Sequence, residues 1–283
     1  MIALLDTHQH LIYPDQAGYT WTDGIPLLAR QAFTLEDYQA LTAENGVAAT
    51  IFMEAGVDDA DYQAEARFIA TLAANPDSNI IGMIASCRPE QKNGFEEWLD
   101  ECADMPIVGL RRILHEIDDD LSRSETFRAN VRKIGARNLT FDMCFRADQL
   151  TIAADLAHAC PDTQFILDHC GVPDIAGGRL ESWKQGITAV AALPNIAGKI
   201  SGIMAYCTPG TASLDTLRPY LEHIVESFGP DRLVWGSDWP VVNLGGGLPD
   251  WIAITRQYLE SWSEEEVEQL AHGNAARIYN VTP

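Results

Sequence analysis

Short runs of aliphatic and β-branched residues recur along the chain, and segments with helical periodicity separate them. In one such segment, Tyr62, Ala66, Ile69 and Ala73 are spaced by four, three and four residues and share one helix face. Regular alternation of strand and helix is typical of a parallel sheet. The runs predict eight strands, at residues 2–6, 48–53, 80–85, 107–110, 139–145, 164–168, 196–201 and 233–236.

The connections between the predicted elements differ in length in a regular way. Those that lead from a helix into a strand are short and contain Gly, Pro or Asn, whereas several that follow a strand are long. In a parallel barrel the long connections lie at the carboxyl ends of the strands, the face on which barrel enzymes build their active sites. They are residues 10–33, 115–122, 170–182, 202–214 and 238–248.

We therefore predict a single (β/α)₈ barrel, a TIM barrel of the α/β class, as one domain over residues 1–283. The length also suits two ordinary domains, since a barrel needs about 250 residues and a domain about 150. No linker divides the chain, and an open doubly wound sheet is disfavoured because no G-x-G-x-x-G motif follows the first strand. Ser122-x-x-Glu125 and Ser263-x-x-Glu266 resemble capping boxes, and the second predicts a C-terminal helical extension over residues 263–279.

The chain is strongly acidic, with 19 Lys and Arg against 41 Asp and Glu and a formal net charge of −22. A field of this sign repels nucleic acids and anionic membranes, so we expect a small-molecule partner instead. No apolar stretch approaches the roughly 20 residues that span a bilayer, and no signal peptide is recognisable, so we expect a cytoplasmic protein. The six cysteines show no C-x-x-C spacing and are expected to be reduced and buried. The oligomeric state stays open, a homo-oligomer included.

Candidate chemistry is concentrated at the ends of three predicted strands. His8 and His10 follow the first strand, and side chains two residues apart on a strand point to the same side. Both imidazoles can therefore bind one metal ion or flank one substrate. His169 ends the sixth strand, and Asp238 follows the eighth, which lies beside the first in a closed barrel. A carboxylate beside imidazoles can act as a metal ligand or as a general base.

These residues lie within longer strings that resemble the lactonase branch of the amidohydrolase superfamily. That branch contains L-fuconolactonase, L-rhamnonolactonase and 2-pyrone-4,6-dicarboxylate lactonase. The strings are LDTHQH at residues 5–10, GLRRIL at 109–114, LDHCG at 167–171, KISG at 199–202 and FGPDRLVWGSDWP at 228–240. The resemblance extends to NAAR at residues 274–277 and so covers nearly the whole chain.

The resemblance implies a distorted barrel with four catalytic residues, which are also the ligands if a metal ion binds: His8, His10, His169 and Asp238. Many members of the superfamily carry a carboxylated lysine at the end of the fourth strand, which helps to bridge two metal ions. Here that strand ends in Arg111 and Arg112, so a binuclear centre is not expected. Because lactonases of this branch include one-metal and metal-free enzymes, a single zinc ion and a metal-independent site both stay open.

Further residues of the strand ends and long loops are expected to bind the substrate. They are Arg111, Arg112, His115, Glu54, Tyr19, Trp21 and Tyr206. A guanidinium can hold a carbonyl or carboxylate because it presents a planar fork of donors, and a rim ion pair with Glu116 or Asp118 is the alternative. The loops are rich in Tyr and Trp and poor in Lys, which favours a neutral sugar lactone over a dicarboxylate. Lys199, within the seventh strand, is expected to be structural.

The predicted function is hydrolysis of the ester ring of a small lactone. Zinc, or Arg111 with the histidines in a metal-free site, would stabilise the oxyanion. Asp238 would accept a proton from water and return it to the ring oxygen. The enzyme alternatives are a dicarboxylate lactonase, a decarboxylase and an amide hydrolase on the same scaffold. A non-catalytic barrel that binds sugar acids is the alternative outside enzymes.

Overall fold

The computed structural model describes residues 2–282. Within them, eight parallel strands follow one another around one sheet in chain order. They are β1 (Leu4–Gln9), β2 (Val47–Met53), β3 (Ile80–Ser86), β4 (Ile107–Ile113), β5 (Thr140–Cys144), β6 (Phe165–Leu167), β7 (Ile196–Ile200) and β8 (Leu233–Trp235). Each predicted strand is present, and the main difference is that β1 and β4 extend three residues further than predicted.

The sheet closes on itself just beyond β8. Asp238 donates its backbone N–H to the His8 carbonyl at 2.7 Å, and His10 donates to the Trp239 carbonyl at 2.8 Å. Gln9 and Trp239 form a parallel bridge between these two bonds. The closure confirms the predicted (β/α)₈ barrel and brings Asp238 beside the histidines of the first strand.

Helices surround the sheet. They are α1 (Leu35–Thr42), α2 (Tyr62–Ala73), α3 (Phe95–Cys102), α4 (Glu125–Ala136), α5 (Leu150–Ala159), α6 (Leu180–Ala191), α7 (Leu214–Phe228), α8 (Leu248–Leu259), α9 (Glu264–Glu268) and α10 (Asn274–Tyr279). A π-helical turn at Gln269–Gly273 joins the last two, so the predicted C-terminal extension is confirmed. No helix within residues 2–282 is long and apolar enough to cross a membrane.

One of the two predicted capping boxes is correct. At α9, the Ser263 hydroxyl accepts from the Glu266 N–H while the Glu266 carboxylate accepts from the Ser263 N–H. The box at Ser122 is wrong, because α4 begins after Ser124, whose hydroxyl accepts from the Phe127 N–H. Ser122 lies in a short 3₁₀ turn before that helix.

A small apolar cluster fills the lower part of the barrel. It combines residues of six strands with two residues of α10: Leu5, Ala49, Ile51, Met53, Ile84, Ile166, Ala197, Val234, Ala275 and Tyr279. Ile166 and Ala197 each lie two residues before a charged residue, Asp168 and Lys199, so these charged side chains share the inner face of the barrel. The charged residues of the site therefore lie next to this apolar cluster, on the side of the barrel mouth. The larger hydrophobic cluster packs the helices against the strands, and all six cysteines are free and buried.

Candidate active site

Three histidines and one aspartate meet at the carboxyl end of the barrel. The Asp238 Oδ1 atom lies 3.3 Å from His10 Nε2 and 3.7 Å from His8 Nε2. Its Oδ2 atom lies 3.8 Å from His169 Nδ1. None of these four residues is more than 5% exposed. The structure thus brings together the four residues that the sequence predicts to be catalytic.

The neighbours of His10 determine which of its ring nitrogens carries the proton. The Met53 carbonyl, which can only accept, lies 3.0 Å from His10 Nδ1, so Nδ1 is assigned the proton and the Nε2 lone pair faces Asp238. His8 Nδ1 lies 3.4 Å from Asp168 Oδ1, an acceptor, and 3.4 Å from Lys199 Nζ, a donor. His8 Nε2 lies 3.3 Å from the Arg111 guanidinium and 3.7 Å from Asp238 Oδ1.

Two glycines make this convergence sterically accessible. A Cβ atom on Gly202 would lie 2.5 Å from His169 Nδ1 and 2.6 Å from Asp238 Oδ2. A Cβ atom on Gly236 would lie 2.6 Å from the Cβ atom of His8. Asp238 itself adopts a φ of 59°, a left-handed conformation that is uncommon outside glycine and is found at functional sites. The backbone is thus shaped to bring the side chains close to one another.

A group of buried charges lies behind the histidines. Lys199 Nζ is 2.6 Å from Asp142 Oδ2 and 3.0 Å from Asp168 Oδ1. The Arg111 Nε atom is 2.6 Å from Glu54 Oε1, and its Nη1 atom is 3.4 Å from Asp168 Oδ2. These five residues are at most 3% exposed, so their charges depend on one another for compensation.

Two of the site histidines, His8 and His169, are neutral at pH 7. Burial lowers the pKa of His8 well below its usual value, although Asp168 opposes part of the shift. Burial likewise lowers the pKa of His169. A neutral imidazole is the form that binds a metal ion or accepts a proton, so both residues are in the reactive state over the physiological range.

The pKa values of the buried carboxylates differ according to how strongly a neighbouring cation offsets the effect of burial. Burial alone would raise the pKa of Asp168, but Lys199 holds it well below its usual value. Arg111 does the same for Glu54, whose pKa is lowered despite burial. Asp142 differs, because burial outweighs the Lys199 ammonium and raises its pKa to about 6. All three are therefore largely ionised at pH 7.

His8, His10 and Asp238 fit a metal ion. Tetrahedral zinc with ligands at roughly 2.1 Å places neighbouring ligand atoms about 3.4 Å apart, close to the 3.3 and 3.7 Å observed here. A divalent ion there would also supply the positive charge that Asp238 lacks, since its ion-pair partners within residues 2–282 are histidines.

The two arginines at the fourth strand face opposite sides. Both lie within β4, which places Arg111 inside the barrel and Arg112 outside it. Arg112 donates to Glu90 Oε1 at 2.7 Å, and Arg111 binds Glu54. Within residues 2–282, neither forms the rim ion pair with Glu116 or Asp118 that the sequence left as an alternative.

The remaining predicted substrate contacts lie at different depths. The Tyr206 ring is 6.5 Å from the His169 ring, and burial next to His169 and Arg111 lowers the pKa of His115 to about 4. Trp21 donates its indole N–H to the Ala55 carbonyl at 2.9 Å. Tyr19 lies further out, where it lines a cleft of about 220 Å³ within the loop after β1.

Sequence reasoning missed the partners that orient the site. It treated Lys199 as structural and did not place its ammonium next to Asp168. It also missed Ser201, whose hydroxyl is 3.1 Å from His169 Nδ1, and Tyr279, which donates to Asp142 at 3.0 Å. The available signal was the alternation of side chains along a strand. Lys199 and Ser201 are two residues apart on the strand that leads to the mouth, so their side chains lie on the same face.

Comparison with known proteins places this site in a family. The sequence model described as amidohydrolase matches residues 5–281. The chain belongs to the amidohydrolase family. Among the relatives of this amidohydrolase is L-fucono-1,5-lactonase of Burkholderia ambifaria, which is 26% identical over 98% of this chain and 95% of the relative.

Two further relatives extend the comparison. The 4-sulfomuconolactone hydrolase of Rhizobium radiobacter is 25% identical over 83% of this chain and 75% of its own length. A crystal structure of a Burkholderia multivorans amidohydrolase with bound zinc superimposes with a TM-score of 0.89, at 26% identity, over 99% of this chain and 100% of the other. The barrel of this amidohydrolase is therefore shared along its full length with a zinc-binding relative.

Proposed function

We propose that this amidohydrolase hydrolyses the ester ring of a small sugar lactone to the open hydroxy acid. The observation that carries the proposal is the Asp238 carboxylate, whose two oxygens have different surroundings. Oδ1 faces the Nε2 atoms of His8 and His10, and Oδ2 faces His169. The names of the two lactone-opening relatives support the same reaction class.

The two Asp238 oxygens suit two separate tasks. Oδ1, with His8 and His10, would hold one divalent ion such as zinc, which supplies a Lewis acid for the lactone carbonyl when it is bound. Oδ2 accepts a proton from the attacking water as the bond between water oxygen and carbonyl carbon forms. It then returns that proton to the ring oxygen as the ring C–O bond breaks. No serine or cysteine nucleophile is required.

The charges around the site favour a neutral lactone over a dicarboxylate. A dicarboxylate needs an uncommitted cation, because the chain carries a net charge of −22. Arg111 is bound to Glu54 and Asp168, and Arg112 is bound to Glu90. Neither guanidinium is free to receive a second carboxylate. Sugar hydroxyls can instead be met by the neutral groups of Tyr206 and His115 near the mouth.

The test is a substrate panel followed by proton release at constant pH. Aldono-1,5-lactones and aldono-1,4-lactones should be opened, with kcat/KM almost unchanged between low and moderate salt. Pyrone dicarboxylates, carboxylated aromatics and N-acyl compounds complete the panel. A preference for a dicarboxylate would contradict the neutral-substrate proposal. Decarboxylation or amide hydrolysis without lactone opening would contradict the proposed reaction itself.

A further inference from the structure

Two sets of donor atoms at the barrel mouth share one histidine. The first set is His8, His10 and Asp238, and the second is His8, Asp168 and His169. Within each set the donor atoms lie within 4.8 Å of one another. The mouth thus offers two adjoining places for a cation. They differ in their contacts with the protein's own cationic side chains, Lys199 and Arg111.

The Lys199 ammonium lies against the second set. Its Nζ atom is 2.6 Å from Asp142 Oδ2, 3.0 Å from Asp168 Oδ1, 3.3 Å from the Thr7 carbonyl and 3.4 Å from His8 Nδ1. Lys199 is fully buried, so bulk solvent does not screen these contacts. Three oxygens and one imidazole thus enclose the ammonium, much as ligands enclose a metal ion.

The two aspartates of these sets differ in their contacts. Both oxygens of Asp168 face a protein cation, because Arg111 Nη1 lies 3.4 Å from Oδ2 on the side away from Lys199. The ion-pair partners of Asp238 in the described part of the chain are histidines alone. The Asp238 side is therefore the one left for an added cation.

We infer that the Lys199 ammonium takes the place of a second metal ion, so that the barrel holds one divalent ion, at His8, His10 and Asp238. The inference rests on the metal site of the proposed function. Truncation of Lys199 should free the Asp142 and Asp168 carboxylates. These hard oxygens suit a divalent ion such as manganese or zinc.

The experiment counts metal ions per chain by plasma emission after chelator treatment, reloading with zinc plus manganese and removal of free metal. The wild-type protein should hold one ion and Lys199→Ala two. Lys199→Met removes the charge but fills the space, so it should hold one. Arg112→Met, which lies outside the barrel, is the matched control and should also hold one.

Two ions in the wild-type protein, none in the wild-type protein, or one in folded Lys199→Ala would each overturn the inference. If Lys199→Ala is unfolded after chelation, saturating zinc must refold it, and failure to refold has the same consequence. Lactone hydrolysis is measured on the same samples. One ion without lactone opening rejects the proposed function alone, whereas lactone opening by a protein without metal rejects the inference alone.

Discussion

Replacement of Arg111 by methionine should destabilise the protein strongly, because it leaves the buried Glu54 carboxylate without its ion-pair partner. Arg111 is 3% exposed, and its Nε atom lies 2.6 Å from Glu54 Oε1. It also lies 3.4 Å from Asp168, which retains Lys199. Removal of one member of a buried ion pair typically costs about 3–5 kcal/mol of unfolding free energy. Most of this cost should come from Glu54.

The loss should depend on pH in a defined direction. In the wild-type protein Arg111 holds the pKa of Glu54 below its usual value. Without Arg111, burial should raise that pKa, so the folded state of the variant binds a proton more readily than its unfolded state. The contribution of Glu54 to stability is then lost as the pH rises through the raised pKa. The variant should therefore be closer to wild type at pH 5 than at pH 8.

Urea unfolding of a small series measures both effects. The double variant Arg111→Met, Glu54→Gln should recover more than half of the loss, since a neutral pair needs no charge compensation. Arg123→Met breaks an exposed pair with Asp120 and should leave the unfolding midpoint almost unchanged. A loss below about 1 kcal/mol in Arg111→Met, or no recovery in the double variant, would refute this reasoning.

Three further perturbations probe the site. His10→Ala should reduce bound zinc and lactone turnover together, as a chelator does, and unchanged turnover in metal-free protein would assign His10 to substrate binding. Gly202→Ala should abolish turnover in a folded protein, because its Cβ atom would lie 2.5 Å from His169 and 2.6 Å from Asp238; ordinary turnover would show that the site tolerates displacement. Burial lowers the pKa of His115 to about 4, below its unfolded value of about 6.5, so its contribution to stability is lost as the pH falls between these values. Between pH 7 and pH 4.5, the unfolding free energy of His115→Gln should therefore fall by about 2 kcal/mol less than that of the wild-type protein, as measured by urea unfolding. An equal fall in both proteins would contradict the lowered pKa of His115.

The fold was predictable because its signals are local. Alternating strand and helix patterns and short helix-to-strand turns determined the eight-unit barrel. The location of the site followed from the rule that barrel strands end at one mouth, which placed Asp238 beside His8. The Ser122 capping box failed because Ser124, two residues later, is the residue at which the chain enters the helix.

The partners within the site were not predictable, because they depend on which side chains face inward and how far they reach. The alternation of side chains along β4 places Arg111 and Arg112 on opposite faces of the sheet. The predicted strand, however, ended at residue 110, three residues before the observed end of β4. The Lys199 contacts with Asp142 and Asp168 join three strands that are far apart in sequence. Such contacts are set by the closure of the barrel rather than by local pattern.

Asp238→Asn tests the central claim most directly. The amide keeps the shape of the side chain but cannot accept a proton from water, and general acid–base catalysis contributes about 10²–10⁴-fold. Initial rates of lactone opening should fall by at least about 100-fold, with bound zinc reduced and the far-ultraviolet circular dichroism spectrum unchanged. Asp215→Asn, at an exposed position in the first turn of α7, is the matched control and should retain wild-type rates. Retention of more than about a tenth of the wild-type rate by Asp238→Asn would contradict the assignment of Asp238 as the base.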